Sequence, residues 1–325
     1  MSNTKSRSKD TYARRDHYQE LTDSVVAALE AGTRPWQKPW NPDVAGGAAA
    51  PVNAATGHRY RGVNVLALGM SPLAFATEDP RWTTYKQANE RGWQVRRGEK
   101  GTTVFFFKQL LVGDDSGSDE PDERGKRIPI MRSFTVFHAS QIEGIPPFTP
   151  PRAAQPITER IDSVETIIRN SKAVVRIGGD RAFYSPATDH IQVPPAAAFH
   201  TPHDYAVTTL HECGHWSGAG HRLNRDLSGR FGSELYAKEE LKAELASFFV
   251  GNILGLPTDV PNHASYLASW IRLLKNEKQE LFRAAADAQK IADYLLAFHP
   301  DYGASTETTY AQDADSSDET FAEAA

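Results

Sequence analysis

The stretch that decides the fold of the second half is Thr208-Thr209-Leu210-His211-Glu212-Cys213-Gly214-His215-Trp216. In a helix, residues four apart lie on one face about one turn apart, so His211 and His215 can offer two imidazoles to one ion. Glu212, about 100° further round the axis, stands beside that ion rather than on it. There a carboxylate can take a proton from metal-bound water and pass it to a leaving amine, the chemistry of zinc peptidases. Tyr205, Val207 and Leu210 give the preceding turns the apolar side of a partly buried helix. The expected element is a helix over Asp204 to Trp216, capped by Asp204 or Thr201, holding one Zn2+ per chain or another divalent ion in its place.

Two residues compete for the third ligand position. Residues 211–221 read HECGHWSGAGH, formally the HExxHxxGxxH string of metzincins, which would recruit His221. Metzincins also need a methionine turn after the third histidine, and Met1, Met70 and Met131 all lie upstream. In the alternative, gluzincin arrangement a second helix supplies a glutamate. Residues 238–249, KEELKAELASFF, set Glu240 and Glu244 four apart on one face, with Leu241, Leu245 and Phe248 on the buried side. Glu240 would then ligate, while Glu244 would hydrogen-bond a ligand histidine and fix its tautomer. Glu240 is favoured and His221 stays open as its competitor. Glu239 is expected on the exposed face of that helix, and Cys213 as a small buried residue turned away from the metal. His190-Ile191-Gln192-Val193 reads equally as an edge strand that pairs with an extended peptide and as a plain structural strand.

The chain has 325 residues, 40% of them hydrophobic and 24% charged, with 20 prolines, which suits two soluble domains joined by loops. No apolar run is long enough to span a membrane, and the polar, basic start MSNTKSRSKD lacks the apolar segment of a secretion signal. A single cysteine excludes an internal disulfide framework, and the cytoplasm is the expected compartment. The net charge of −5 is unevenly spread. Residues 14–108 carry 13 Lys+Arg against 9 Asp+Glu, and 81–108 carry 7 against 2, so the acidity resides in the remainder. A basic region on an acidic protein points to a polyanionic partner.

Along the chain, the expected order is a disordered leader (1–13), a domain over 14–143, a Pro-rich linker (144–157), a mostly helical domain over 158–300 and an acidic, disordered tail (301–325). The first domain is expected to hold a helix at Asp16–Glu30, a helix at Thr83–Arg91, and two strands, Thr102–Leu111 and Ile128–His138, around an acidic hairpin loop. Within it aromatics alternate with cations and amides, the mixture that stacks on bases and tracks phosphates of single-stranded nucleic acid. The residues singled out are Trp36, Lys38, Trp40, Arg59, Tyr60, Arg61, Asn64, Tyr85, Lys86, Gln87, Arg96, Arg97 and Lys100. Trp82 reads better as core.

Several long strings carry a resemblance: LEAGTRPWQKPWN, the Asn53–Asn64 stretch NAATGHRYRGVN, RWTTYKQANERGWQVRRGEKGT, FTVFHASQIEG, YSPATDHIQVP, TTLHECGHWSG and HRLNRDLSGRFGSELYAKEELKAELA. Over roughly residues 14–298 the chain resembles the ArdC-type plasmid antirestriction proteins, whose N-terminal domain is also shared with antirestriction primases of conjugative plasmids. The resemblance implies an α+β fold, in which a mixed α/β domain binding single-stranded DNA precedes a mostly helical, zincin-like metallopeptidase domain of gluzincin type. It carries metal-binding roles to His211, His215 and Glu240 and a catalytic role to Glu212. The implied function is protection of incoming mobile DNA from host restriction, with a restriction subunit as one protein partner and no membrane association. The alternative is a regulatory peptidase that cleaves a repressor-type protein and uses its DNA domain only for targeting. A DNA mimic, suggested by the acidic tail and loop, is opposed by the basic first half.

Overall fold

The computed structural model describes residues 15–33, 35, 50–75, 77, 79–112, 126–149, 156–256 and 264–303, with backbone alone at 75, 108–112, 126–130 and 264–265. The expected leader, residues 304–325 of the expected tail, the Trp36, Lys38 and Trp40 cluster and the acidic hairpin loop lie outside the described residues. Residues 301–303, expected to open a disordered tail, instead complete a helical turn closed by the Gly303 amide on the His299 carbonyl.

The first half opens with helix α1 (His17–Glu30), where Asp16 caps the N-terminus by accepting from the Gln19 amide at 3.1 Å. Strand β1 (Val52–Asn53), helix α2 (Val63–Gly69), strand β2 (Arg81–Thr84), helix α3 (Tyr85–Glu90), strand β3 (Gln94–Val95), strands β4 (Thr102–Val112) and β5 (Lys126–His138) and strand β6 (Ile142–Glu143) follow. A four-stranded sheet runs β1-β2-β5-β4, and β3 pairs with β6 apart from it. The helix expected from Thr83 starts two residues later. Thr83 and Thr84 continue the β-prone run of β2, and Thr84 then closes a capping box with Gln87. Trp82 is buried beneath this sheet with Leu68, Val104 and Val136, as its core reading anticipated.

The second half contains helix α4 (Ile157–Ser171), strands β7 (Val174–Ile177), β8 (Phe183–Ser185) and β9 (His190–Val193), then helices α5 (Pro202–Trp216), α6 (Glu234–Leu254), α7 (Ala264–Asn276) and α8 (Glu280–Leu296). The three-stranded sheet runs β7-β9-β8. His190–Val193 is therefore the central strand, parallel to β7 and antiparallel to β8, and cannot be the free edge. The short β8, absent from the sequence reading, is an edge. Helix α5 starts with a Thr201–Asp204 capping box and Pro202 in its first turn. Helix α6 is buried almost all round and stops at Gly255, whose φ of +70° suits the left-handed cap that glycine tolerates.

The result is an α+β molecule, a mixed α/β region followed by a helical domain. One hydrophobic core joins the two halves. Val25 and Leu29 of α1, Leu66 of α2 and Phe105 of β4 join one cluster with Leu241, Leu245, Trp270 and Leu281. Helix α1 packs on α7, the Tyr18 and Phe105 rings meet Phe282, and Arg61 pairs with Asp293 on α8. No described helix is long and apolar enough to cross a membrane.

Candidate metal centre

Helices α5 and α6 cross where side chains are smallest. A Cβ on Gly214 would lie 3.4 Å from Ala243, so this pair lets the two backbones approach and sets the His211–His215 face against Glu240. The Nε2 atoms of the two histidines face each other at 3.2 Å. Glu240 closes the triangle, at 3.6 Å from His211 Nε2 and 3.5 Å from His215 Nε2. Metal–nitrogen bonds of about 2.0–2.1 Å in a tetrahedron put neighbouring donor atoms about 3.3 Å apart. Two imidazoles and a carboxylate, converging on those edges, form a donor set that fits a divalent ion. Among the described residues this is the one group of three or more His, Cys, Asp or Glu side chains so arranged.

Each histidine has its own carboxylate behind it. Glu244 Oε2 stands 3.8 Å from His211 Nδ1, on the face the sequence assigned to it. Glu239 Oε1 lies 3.3 Å from His215 Nδ1. This corrects the expectation of an exposed Glu239: the residue is 7% exposed, because α6 is covered on that side too. Arg225 grips the Glu239 carboxylate with Nη2 and Nε at 2.7 and 3.2 Å. The same guanidinium donates to the Gly214 carbonyl at 2.6 Å and to Ser217 Oγ at 2.8 Å. A Cβ on Gly218 would lie 2.8 Å from that guanidinium, so the loop after α5 needs glycine there. An imidazole whose Nδ1–H is held by carboxylate presents Nε2 as the ligand atom.

The charges are strongly coupled. Burial alone would raise the Glu240 carboxyl, yet His215, His211 and the Tyr236 hydroxyl hold it down to about 2. Burial opposes a charge on His215, but Glu240, Glu239 and Glu212 outweigh it and push the imidazole up to about 9. Glu212 is not part of the triangle. Burial, with Glu240 nearby, moves its carboxyl upward against the pull of the histidines, and the Tyr184 amide of β8 donates to it. Tyr236 and Tyr266 join hydroxyls at 3.1 Å beside Glu240.

His221, the competing third ligand, lies elsewhere. It is exposed, with its Nε2 3.5 Å from Asp189 and against the guanidinium of the largely buried Arg222. Arg222 stacks on Trp216 at 4.0 Å, pairs with Asp189 and donates to the Tyr184 hydroxyl, which fastens the β8–β9 turn to the end of α5. The histidine spacing that imitates a metzincin thus belongs to a clamp holding β8 near Glu212. Cys213 is fully buried, and burial pushes its thiol up to about 12. Glu239, Arg225, Tyr236 and the Arg222 clamp were missed because their roles depend on helix crossing and loop return, which leave no periodic signal.

The structure also sorts the nucleic-acid candidates of the first half. Tyr60 is a core residue whose phenol is raised by burial, so its ring has no open face. Asn64 is buried and exchanges two 2.7 Å hydrogen bonds with the Phe105 backbone. Arg61 pairs with Asp293, and Gln87 completes the capping box. These four serve the fold rather than an open surface. Arg59, Tyr85, Lys86, Arg96, Arg97 and Lys100 are exposed; Arg96 also reaches Glu99 at 2.6 Å and Lys86 faces Glu90 at 3.9 Å.

Comparison with known proteins gives both halves a counterpart. Residues 15–137 match the model of the N-terminal domain of anti-restriction factor ArdC, and residues 162–287 match that of zincin-like metallopeptidases. The chain is 44% identical to the Escherichia coli DNA primase TraC over 86% of its own length, but spans only 27% of that primase. It is 40% identical to protein y4eC of Sinorhizobium fredii (strain NBRC 101917 / NGR234), covering 88% of this chain and 93% of y4eC. Among solved structures, the metal-free antirestriction ArdC protein from the R388 plasmid superposes with a TM-score of 0.72 at 36% identity, over 89% of this chain and 99% of that one. Its Mn(II)-bound form gives a TM-score of 0.70.

Proposed function

The chain belongs to the ArdC-type antirestriction family, and from that premise we propose that it protects incoming mobile DNA by binding it as a single strand while carrying a zinc peptidase centre. The observation that carries the catalytic part is the convergence of His211 Nε2, His215 Nε2 and Glu240 beside a buried Glu212. The plasmid relative crystallised with Mn(II) supports a divalent ion, and the two-imidazole, one-carboxylate set supports zinc as that ion. When bound there, the ion supplies Lewis acidity toward a carbonyl and toward water.

The protein groups do the rest. Glu239 fixes the His215 imidazole, Arg225 fixes Glu239, and Glu244 places its charge 3.8 Å from His211 Nδ1. Glu212, whose proton affinity is raised by burial, accepts a proton at its carboxylate and returns it to the departing amine. The β8 edge, whose Tyr184 amide reaches Glu212, leaves room for an extended peptide alongside. The exposed Arg59, Tyr85, Lys86, Arg96, Arg97 and Lys100 support a phosphate-tracking surface for single-stranded DNA.

Transfer of unmodified plasmid DNA into restricting and non-restricting hosts tests the division of labour. If DNA masking protects, Glu212→Ala retains protection and Arg96→Ala/Arg97→Ala loses it. The complete proton-carrying set at Glu212 favours a second reading, a regulatory peptidase acting on a host or element-encoded protein. Loss of protection in Glu212→Ala, with metal and DNA binding intact, would replace masking by that proteolytic route.

A further inference from the structure

Strands β4 and β5 are longer than the sheet that holds them. Their pairing runs from Thr102↔Val136 to Val112↔Lys126, whereas β2 meets β5 only between Val136 and His138. From about Phe105 and Ser133 outward the two strands continue as a two-stranded ribbon, with no third strand among the described residues. Residues 104–107 and 131–134, at the root of this ribbon, carry Arg132 and no acid, whereas the six acids of the hairpin all fall in residues 113–125 between the strands. At the root of the ribbon, alternation that buries Val104 leaves Phe106, on the same face, 44% exposed. Phe134 meets Phe106 at 5.3 Å with the two rings at 87°, so Phe106 stands held at a right angle to its neighbour while part of it stays exposed. Arg132, also exposed, is the register partner of Phe106. On the opposite face the buried Phe105 meets Phe282 of α8 at 5.1 Å and anchors the root to the helical domain, while Phe107, 6.4 Å from the same ring, stays 53% exposed.

We propose that this β4–β5 ribbon is a binding arm for single-stranded DNA, in which a base stacks on Phe106 and Arg132 meets the adjoining phosphate. The proposal rests on the reading of the protein as a single-stranded-DNA binder and locates a contact surface outside residues 36–100. A duplex keeps its bases stacked on each other, so the exposed Phe106 ring selects the single strand, while Arg132 across the register supplies the cation for the backbone. The rigid seating of its root on α8 presents the aromatic face ready-made, without an ordering cost for that residue.

The test is fluorescence anisotropy of the full chain with fluorescein-labelled oligothymidylate over a salt series. Phe106→Ala and Phe106→Leu are expected to weaken binding about tenfold, since base–aromatic stacking has that order of worth. Phe106→Trp is expected to bind at least as tightly as the wild type, which separates stacking from damage to the fold. Arg132→Gln is expected to lower the slope of log K against log salt by about 0.7, one phosphate contact on a single strand. Wild-type binding in both Phe106→Ala and Arg132→Gln, with loss only in Arg96→Ala/Arg97→Ala, would overturn the ribbon and leave the DNA-binding reading standing. Equal loss in Phe106→Trp and Phe106→Ala would overturn stacking as the contact. Absence of any salt-dependent binding by the wild type would overturn both.

Discussion

The metal centre and the N-terminal sheet use polar residues in opposite ways. Around His211 and His215 the polar atoms are buried, close and mutually assigned: Glu239, Glu240 and Glu244 are all under 8% exposed and each faces an imidazole. On the N-terminal surface, cations are exposed and spread over α3, β3 and the turns that follow. The first arrangement concentrates its free energy in a few contacts held by packed helices. The second distributes it over screened contacts, each worth little alone. A single substitution should therefore be drastic in one region and graded in the other.

The largest effect is expected at the triangle itself. His215→Ala should cut zinc affinity at least about 100-fold, while Glu212→Gln should load as the wild type does, measured by elemental analysis after dialysis against a weak chelator. Equal metal content in the two would place the ligands elsewhere. Next, Glu239→Gln should cost about 10–100-fold in zinc affinity, because His215 loses the carboxylate that fixes its tautomer. No change in affinity would return Glu239 to a purely structural role. Metal uptake should also depend on pH. His215 is pushed up to about 9 in the metal-free site, so near neutrality the ion must displace its proton. Affinity should fall as pH falls, and calorimetry in buffers of different ionisation enthalpy should detect proton release.

The N-terminal sheet is expected to answer more gently. Asn64→Ala leaves the Phe105 amide and carbonyl buried without their 2.7 Å partners and should cost about 2–4 kcal/mol in urea unfolding. The smallest effect concerns His138, buried and neutral, with Nε2 donating to the Asp79 carbonyl at 2.7 Å and Nδ1 accepting from the Ser140 amide at 3.2 Å. Burial depresses its folded-state pKa below the unfolded value of about 6.5. Its contribution is thus complete above pH 6.5 and is lost as pH falls through the depressed value. Wild-type stability should decline over that window more than that of His138→Gln, and parallel declines would contradict the assignment.

The same contrast explains what could be read from the residues alone. His211, Glu212 and His215 on α5, and Glu240 and Glu244 on α6, are each related by helical spacing, which survives folding unchanged, so each set was legible, while joining the two sets took the gluzincin pattern and the resemblance. Glu239 was not, because α6 is covered on nearly every side and sequence gives no polar face to distinguish. Strand β8 has three residues and no alternation, and its edge position follows only from the β7-β9-β8 order. In the first half, type and spacing identified a basic, aromatic surface but could not separate exposed Tyr85 from buried Tyr60. Both follow a Thr or Arg in polar sequence, and only the sheet decides which ring is covered. The shared core with α1 seated on α7 was equally hidden, since a contact across some 250 residues has no local signature.

Anomalous diffraction at the zinc edge from crystals of the loaded full chain tests the centre most directly. The expected result is one peak within about 2.0–2.2 Å of His211 Nε2, His215 Nε2 and a Glu240 carboxylate oxygen, with Glu212 beside it and His221 still at Asp189. A peak coordinated by His221, or one that leaves Glu240 unligated, would contradict it.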